Sequence, residues 1–199
     1  MSASLLLDKL IKSLQIMPGV GPRSATRIVY YLLDRKREES LQLATTLKEA
    51  VEKIGLCTQC RDYSEDSVCS VCKSFKRKDS GLLCVVETPS DLLAIESSGT
   101  YFGQYFVLHG HLSPIDGIGP SELGIDLLMQ RLKEGSVKEL ILATNPTVEG
   151  DATASYIGAL AKRYGVSVSK LASGVPLGGD LDNIDEQTIA ASITHRRPY

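Results

Sequence analysis

Four cysteines at 57, 60, 69 and 72 make two CxxC pairs, CTQC and CSVC, with eight residues between them. Each pair puts two thiols on one tight turn, and two such turns offer the four soft ligands that a tetrahedral zinc ion takes. The intervening RDYSEDSV (61–68) is too short and too polar to bury a core of its own. A metal held by Cys57, Cys60, Cys69 and Cys72 is what this segment needs in order to fold. Four thiolates leave no position open for water, so the expected role is structural, with about one zinc per chain. Disulfides would need an oxidising compartment. MSASLLLDKLIKSL begins an amphipathic pattern instead of a charged segment and an apolar run, so reduced thiols and a cytoplasmic location are expected. The alternatives to zinc are a redox CxxC pair and an iron–sulfur cluster. Cys84, inside LLCVV, reads as an ordinary buried residue.

Charge divides the chain. Residues 1–80 carry 14 Lys/Arg and 10 Asp/Glu, whereas residues 81–199 carry 8 and 14, so a net of −2 conceals a basic first part and an acidic second part. The pattern suggests polyanion contact by the first part, although surface variation alone could give it. No apolar run approaches the roughly 18 residues of a membrane span.

The basic part contains a helical pair. LLLDKLIKSLQIM (5–17) is a helical stripe, and PGVG (18–21) interrupts it. Gly19 and Gly21 allow a tight turn whose backbone can approach a ligand closely. Pro22 suits the first turn of a second helix, expected from about Arg23 to Asp34, with Ala25, Ile28, Val29, Leu32 and Leu33 inward. The turn offers backbone N–H groups at a helix N-terminus, a phosphate site, and Arg23 and Arg27 add cations one turn apart. This looks like the helix-hairpin-helix motif, which grips the DNA backbone without reading sequence. A plain helical hairpin used for packing or dimerisation is the alternative. Residues 35–56 continue as helix, with apolar positions at 41, 44, 47, 51 and 54, Lys48, Glu52 and Lys53 on a solvated face and Gly55 at the C-cap. In SFKRKDSG (74–81), Lys76, Arg77 and Lys78, with Lys73 just before, could touch nucleic acid or form a solvated loop.

From residue 82 strands and helices alternate. LLCVVE (82–87), YFVLHG (105–110), ELILATN (139–145) and VSVSKLA (166–172) read as strands. Residues 90–99, 124–135 and 153–165 read as helices. This predicts an α/β region with a mostly parallel sheet, whose ligand sites gather at the C-terminal strand ends. Glu87 and Asp91 follow one strand, and Glu149 and Asp151 flank a glycine after another. Four carboxylates at two adjacent strand ends could hold Mg²⁺, weakly, or dock a basic partner.

A glutamate after the first strand and an acidic-x-acidic turn after a later one resemble the Toprim domain of topoisomerases and primases. Helix-hairpin-helix, four-cysteine module and Toprim in this order resemble the RecR family of bacterial recombination mediators. The likeness rests on QIMPGVGPRSATR, CTQC…CSVC, CVVETPSD, YFVLHGHLSPIDGIGP, LILATNPTVEGDATA and GVPLGGDLDNID, and covers nearly the whole chain. It implies a DNA-binding clamp of two to four protomers acting on single- and double-stranded DNA. Such a clamp would work with RecO and RecF and promote RecA loading on DNA coated by SSB. It also implies no catalytic residues: the Toprim DxD is Glu149-Gly150-Asp151 here, and Tyr156 and Tyr164 read as packing residues. A Mg²⁺-dependent Toprim enzyme, nuclease or primase-like, is the alternative.

The expected organisation is therefore a helix-hairpin-helix region (1–55), a four-cysteine zinc module (56–77), a Toprim domain (78–173) and a C-terminal segment (174–199) that packs against a neighbouring subunit. The zinc module would act as a scaffold between the DNA-gripping and partner-binding regions. His109 and His111 flank Gly110 as an HxH pair that can ligate metal, but with no acid or cysteine close in sequence they read as a strand-end turn, a role near the acidic site being the alternative. PIDGIGP (114–120) lacks the Lys-Ser/Thr ending of a phosphate-binding loop, so nucleotide hydrolysis is not expected there. Asp180, Asp182 and Asp185 follow no clean apolar strand, and ITHRRPY (193–199) is a basic end.

Overall fold

A computed structural model describes residues 4–172, 174–176, 178 and 180–194, except the side chain of Gln187. The chain divides into two compact units, residues 1–54 and 55–199.

The first unit is helical. Helix α1 (Leu5–Leu14) starts at Ser4, whose side chain accepts from the Leu7 amide. It stops three residues before the predicted end: the Met17 and Val20 amides close turns onto Leu14 and Met17. After Leu14 the amides reach back three residues instead of four, Gln15 to Lys12 and Ile16 to Ser13, so the chain tightens into turns before Pro18. Helix α2 (Pro22–Arg35) begins on an extended Gly21 with Pro22 in its first turn. Helix α3 (Arg37–Lys53) follows after one residue. Among the described residues only Ala25 and Val29 are buried in this unit, whereas Leu41, Leu43, Leu47 and Val51 of α3 are exposed. The apolar stripe of α3 is uncovered.

The second unit opens with the two-residue strands β1 (Gly55–Leu56) and β2 (Tyr63–Ser64), paired antiparallel, and the short helices α4 (Ser70–Lys73) and α5 (Phe75–Asp79). Then come β3 (Leu82–Val86), α6 (Pro89–Ser97), β4 (Gln104–Val107), α7 (Ile125–Lys133), β5 (Glu139–Ala143), α8 (Val148–Ala161), β6 (Ser167–Lys170) and α9 (Glu186–Thr194). Strands β3 to β6 form a parallel sheet in the order β4-β3-β5-β6. The strands predicted from apolar runs exist because both faces of the sheet are covered. On one face, Leu83, Val85, Phe106, Leu140 and Leu142 pack with Leu128 and Leu132 of α7 and Ile157 of α8. On the other, Cys84, Val86, Tyr105 and Val107 pack with Leu92 of α6, so Cys84 is buried as expected. Tyr156 and Tyr164 are not packing residues: they are 40% and 42% exposed, on the outer side of α8 and the 3-10 turn after it. Asp185 caps α9, taking the Thr188 amide at 2.9 Å. The basic tail, from residue 195 onward, lies outside the described residues. Among the described residues no helix is long and apolar enough to cross a membrane.

Candidate nucleic-acid, metal and docking sites

The hairpin of the first unit is built from a short turn and a helix start. Gly19 has φ 77 and Gly21 is the extended N-cap of α2. Pro22 has no N–H to lose, and the following amides of the first turn have no intrahelical acceptor. Arg23 and Arg27 are exposed on this first stretch of α2, and neither is paired with a carboxylate among the described residues. No acid occupies the first turn of α2, so nothing there offsets the positive end of the helix dipole.

The four cysteines converge. All four Sγ atoms lie within 4.8 Å of one another, and Cys60 Sγ is 3.6 Å from Cys69 Sγ. A tetrahedron of thiolates about 2.3 Å from zinc puts sulfurs about 3.8 Å apart, so the donor set fits a zinc ion. The thiols are free and buried. Their small core consists of the cysteines themselves with Val68 and Val71 against them. Local turns aim them: the Arg61 amide donates to Cys57 O at 2.8 Å, the Cys57 amide to Asp62 O at 2.7 Å, and the Cys69 amide to Cys57 Sγ at 3.3 Å. Burial opposes ionisation of Cys57, but the backbone amides of Cys69, Cys60 and Gln59 outweigh it and draw the thiol down to about 6. Hydrogen bonding to Cys72 and burial push Cys60 up, and burial raises Cys69 to about 11. A divalent cation reverses that penalty by supplying the compensating charge. The cluster can therefore bind a metal such as zinc.

The acids at the sheet end are not gathered in the same way. Glu87 is 3% exposed and accepts from the Asn145 amide at 2.9 Å and Asn145 Nδ2 at 2.8 Å. Its partner across the strand end is His111, with Nδ1 at 3.6 Å. Asp91 is turned to a capping box, accepting from the Thr88 amide at 2.9 Å and the Thr88 hydroxyl at 2.8 Å. Glu149 and Asp151 are exposed in the first turn of α8, and Asp151 pairs with Lys170 of β6. Among the described residues the only group of three or more His, Cys, Asp or Glu close enough to share an ion is the four cysteines. The expected four-carboxylate Mg²⁺ cluster is therefore not assembled, because Asp91 and Asp151 face local partners. Gly150 explains the acid-glycine-acid spacing: a Cβ there would meet Asn145 O at 2.1 Å and Glu87 Oε1 at 2.8 Å.

The basic linker, read as a nucleic-acid contact or a solvated loop, forms the short helix α5, and its Arg77 and the adjoining Lys73 have partners within the second unit. Arg77 is partly buried in a two-pronged pair with Glu96, both bonds 2.8 Å, and Tyr105 donates to the same carboxylate at 2.7 Å. Lys73 is paired with Asp66. Two residues that sequence reasoning passed over prove central to the second unit. Arg131 donates to the carbonyls of Gln59 and Tyr105, and Arg61 to those of Leu108 and Glu122. No local motif marks them, because their partners lie from 26 to 72 residues away.

Comparison with family models agrees with this architecture. Residues 7–51 match the RecR helix-hairpin-helix model, residues 81–172 the Toprim domain model and residues 174–197 the RecR C-terminal model. The three stand in the order typical of RecR, with the four-cysteine cluster between the first two. The hairpin, the cysteine cluster and the parallel sheet thus have a common explanation: the chain belongs to the RecR family of DNA-binding proteins of recombination and repair.

Proposed function

We propose that the protein is a non-catalytic DNA clamp and adaptor in recombinational repair. Gly19, Gly21, Arg23 and Arg27 hold backbone phosphates of single- or double-stranded DNA. The observation that carries this reading is the pair of exposed arginines, free of carboxylate partners among the described residues, at an acid-free helix N-terminus. Each phosphate neutralised adds about −0.7 to the log–log salt slope on single strands. One protomer offers few such contacts, so binding depends on several protomers around one DNA. The uncovered groove of Leu10, Leu14, Leu32, Leu33, Leu41 and Leu47, about 450 Å³, supports assembly of two to four copies through the helical unit.

The four cysteines hold one structural zinc. The exposed Glu149, with Asp151 and its partner Lys170 beside it, docks a basic face of RecO, with RecF as a further partner. The complex then promotes RecA loading on DNA coated by SSB. The engagement of Asp91 by Thr88 and of Asp151 by Lys170 supports docking over Mg²⁺-dependent chemistry. The test is anisotropy titration of labelled single-stranded DNA and of RecO. Arg23→Ala with Arg27→Ala abolishes DNA binding and leaves RecO binding intact, whereas Glu149→Lys does the reverse. Normal DNA binding by the double variant contradicts the assignment.

A further inference from the structure

Two non-glycine residues among those described hold a left-handed backbone, Arg61 (φ 63) and His109 (φ 60). They touch each other. His109 Nε2 lies 2.6 Å from the carbonyl oxygen of Arg61, to which it can only donate. Such conformations in residues with a side chain persist where the surroundings over-determine them, and they cluster at sites with a task.

The Arg61 side chain extends the contact. Nη1 donates to Leu108 O at 3.2 Å and Nη2 to Glu122 O at 2.9 Å, so one guanidinium holds both ends of the loop 108–124. Gly124 (φ +66) makes room for it, since a Cβ there would come within 2.4 Å of Nη1. The residue before Arg61 is a thiol of the metal site, and its carbonyl accepts from the Val107 amide at 2.8 Å, along the edge of β4. The second cysteine pair is tied to the same strand, with Gln104 Nε2 donating to Cys72 O at 3.1 Å.

The loop in turn frames the buried glutamate. Leu108 and Gly110 donate to the carbonyls of Val86 and Glu87 at 2.9 and 3.0 Å, and the Leu112 amide donates to Thr153 Oγ1 at 2.9 Å. Between them His111 faces Glu87. A continuous set of hydrogen bonds therefore runs from the CTQC turn to the strand end that carries Glu87.

We infer that Arg61 is a positioning residue: it passes the folded state of the four-cysteine site to the 108–124 loop and so sets His111 against Glu87. The partner-docking end of the sheet is then in register only when the cysteine turns are formed. This rests on the reading that Cys57, Cys60, Cys69 and Cys72 hold a metal. Arginine suits the task because a planar fork can bridge two carbonyls that a lysine ammonium cannot reach together.

The test uses the full chain as wild type, Arg61→Ala and Arg61→Lys, each with its zinc content measured. Two signals report the loop. One is the ring resonance of His111, tractable in a chain with 3 histidines. The other is the exchange of the Leu108, Gly110 and Leu112 amides. Zinc-loaded R61A is expected to exchange these amides about tenfold faster or more. Its His111 resonance moves toward that of chelator-treated wild type, and R61K falls between. Wild-type exchange and an unmoved His111 resonance in zinc-loaded R61A overturn the proposal. Loss of zinc by R61A also overturns it, since Arg61 then serves the metal site alone. If R61A does not fold, R61K decides: faster exchange supports the role and wild-type exchange contradicts it. Wild type purified without metal would remove the metal reading and leave the Arg61 comparison intact.

Discussion

Gly150 shows how much a single position can decide. It lies between Glu149 and Asp151, and the first turn of α8 passes so close to Asn145 and Glu87 that no side chain fits. Gly150→Ala is expected to cost about 3 kcal/mol in urea unfolding, because the obstacle is a backbone carbonyl that cannot turn aside. An unchanged midpoint would show that the turn has room to move. At this scale the sequence was legible where chemistry is encoded by spacing. The CxxC pairs announced four converging thiols, and the structure brings all four together. It was illegible where a side chain's partner is remote. Asp91 reads as a metal-site acid from its place just after a strand, yet Thr88, three residues earlier, takes it for a capping box. Arg77 reads as part of a basic linker, in contact with nucleic acid or solvated, and nothing nearby in sequence announces Glu96, which holds it.

The Arg77–Glu96 pair belongs to the scale of elements, since it ties α5 to α6 and, through Tyr105, to β4. The hydrogen bond from Arg77 holds the Glu96 carboxyl below its ordinary value of 4.5, with Tyr105 adding to it and burial opposing. A carboxyl lowered by folding stabilises the fold fully above its unfolded value, and that contribution is lost as pH falls through the lower folded value. Arg77→Ala should therefore destabilise by about 1–3 kcal/mol at neutral pH. The gap from wild type should close as pH falls below the usual glutamate range, as read by denaturant midpoints at several pH values. A gap independent of pH would mean that packing, not charge, carries the effect. The strands were legible because a parallel sheet covered on both faces leaves continuous apolar runs such as LLCVV. The end of α1 was misplaced because apolar spacing continues through Met17, while the backbone bonding tightens to three-residue turns after Leu14. The apolar stripe of α3 was seen correctly as a stripe, but no periodicity says whether the element that covers it belongs to the same chain.

On the scale of the whole molecule, the chain is two units with different deficits. Among the described residues, unit 1 buries only Ala25 and Val29, too little for 54 residues to stand on their own packing. The cysteine module in unit 2 has a core of its four cysteines with Val68 and Val71. Metal removal by a chelator should therefore lower the melting temperature and first expose amides of residues 57–73, with elemental analysis giving about one zinc per chain beforehand. A chelated protein with an unchanged melt and unchanged exchange there would deny the metal a structural role. The central claim, that several protomers grip one DNA through their hairpins, is tested most directly by the mass of the particle in solution with and without single-stranded DNA. The prediction is a particle of two to four chains that gains one DNA, and an Arg23→Ala, Arg27→Ala variant of the same size that gains none. A monomer that holds DNA as tightly as wild type, or a double variant that still carries it, would contradict the account.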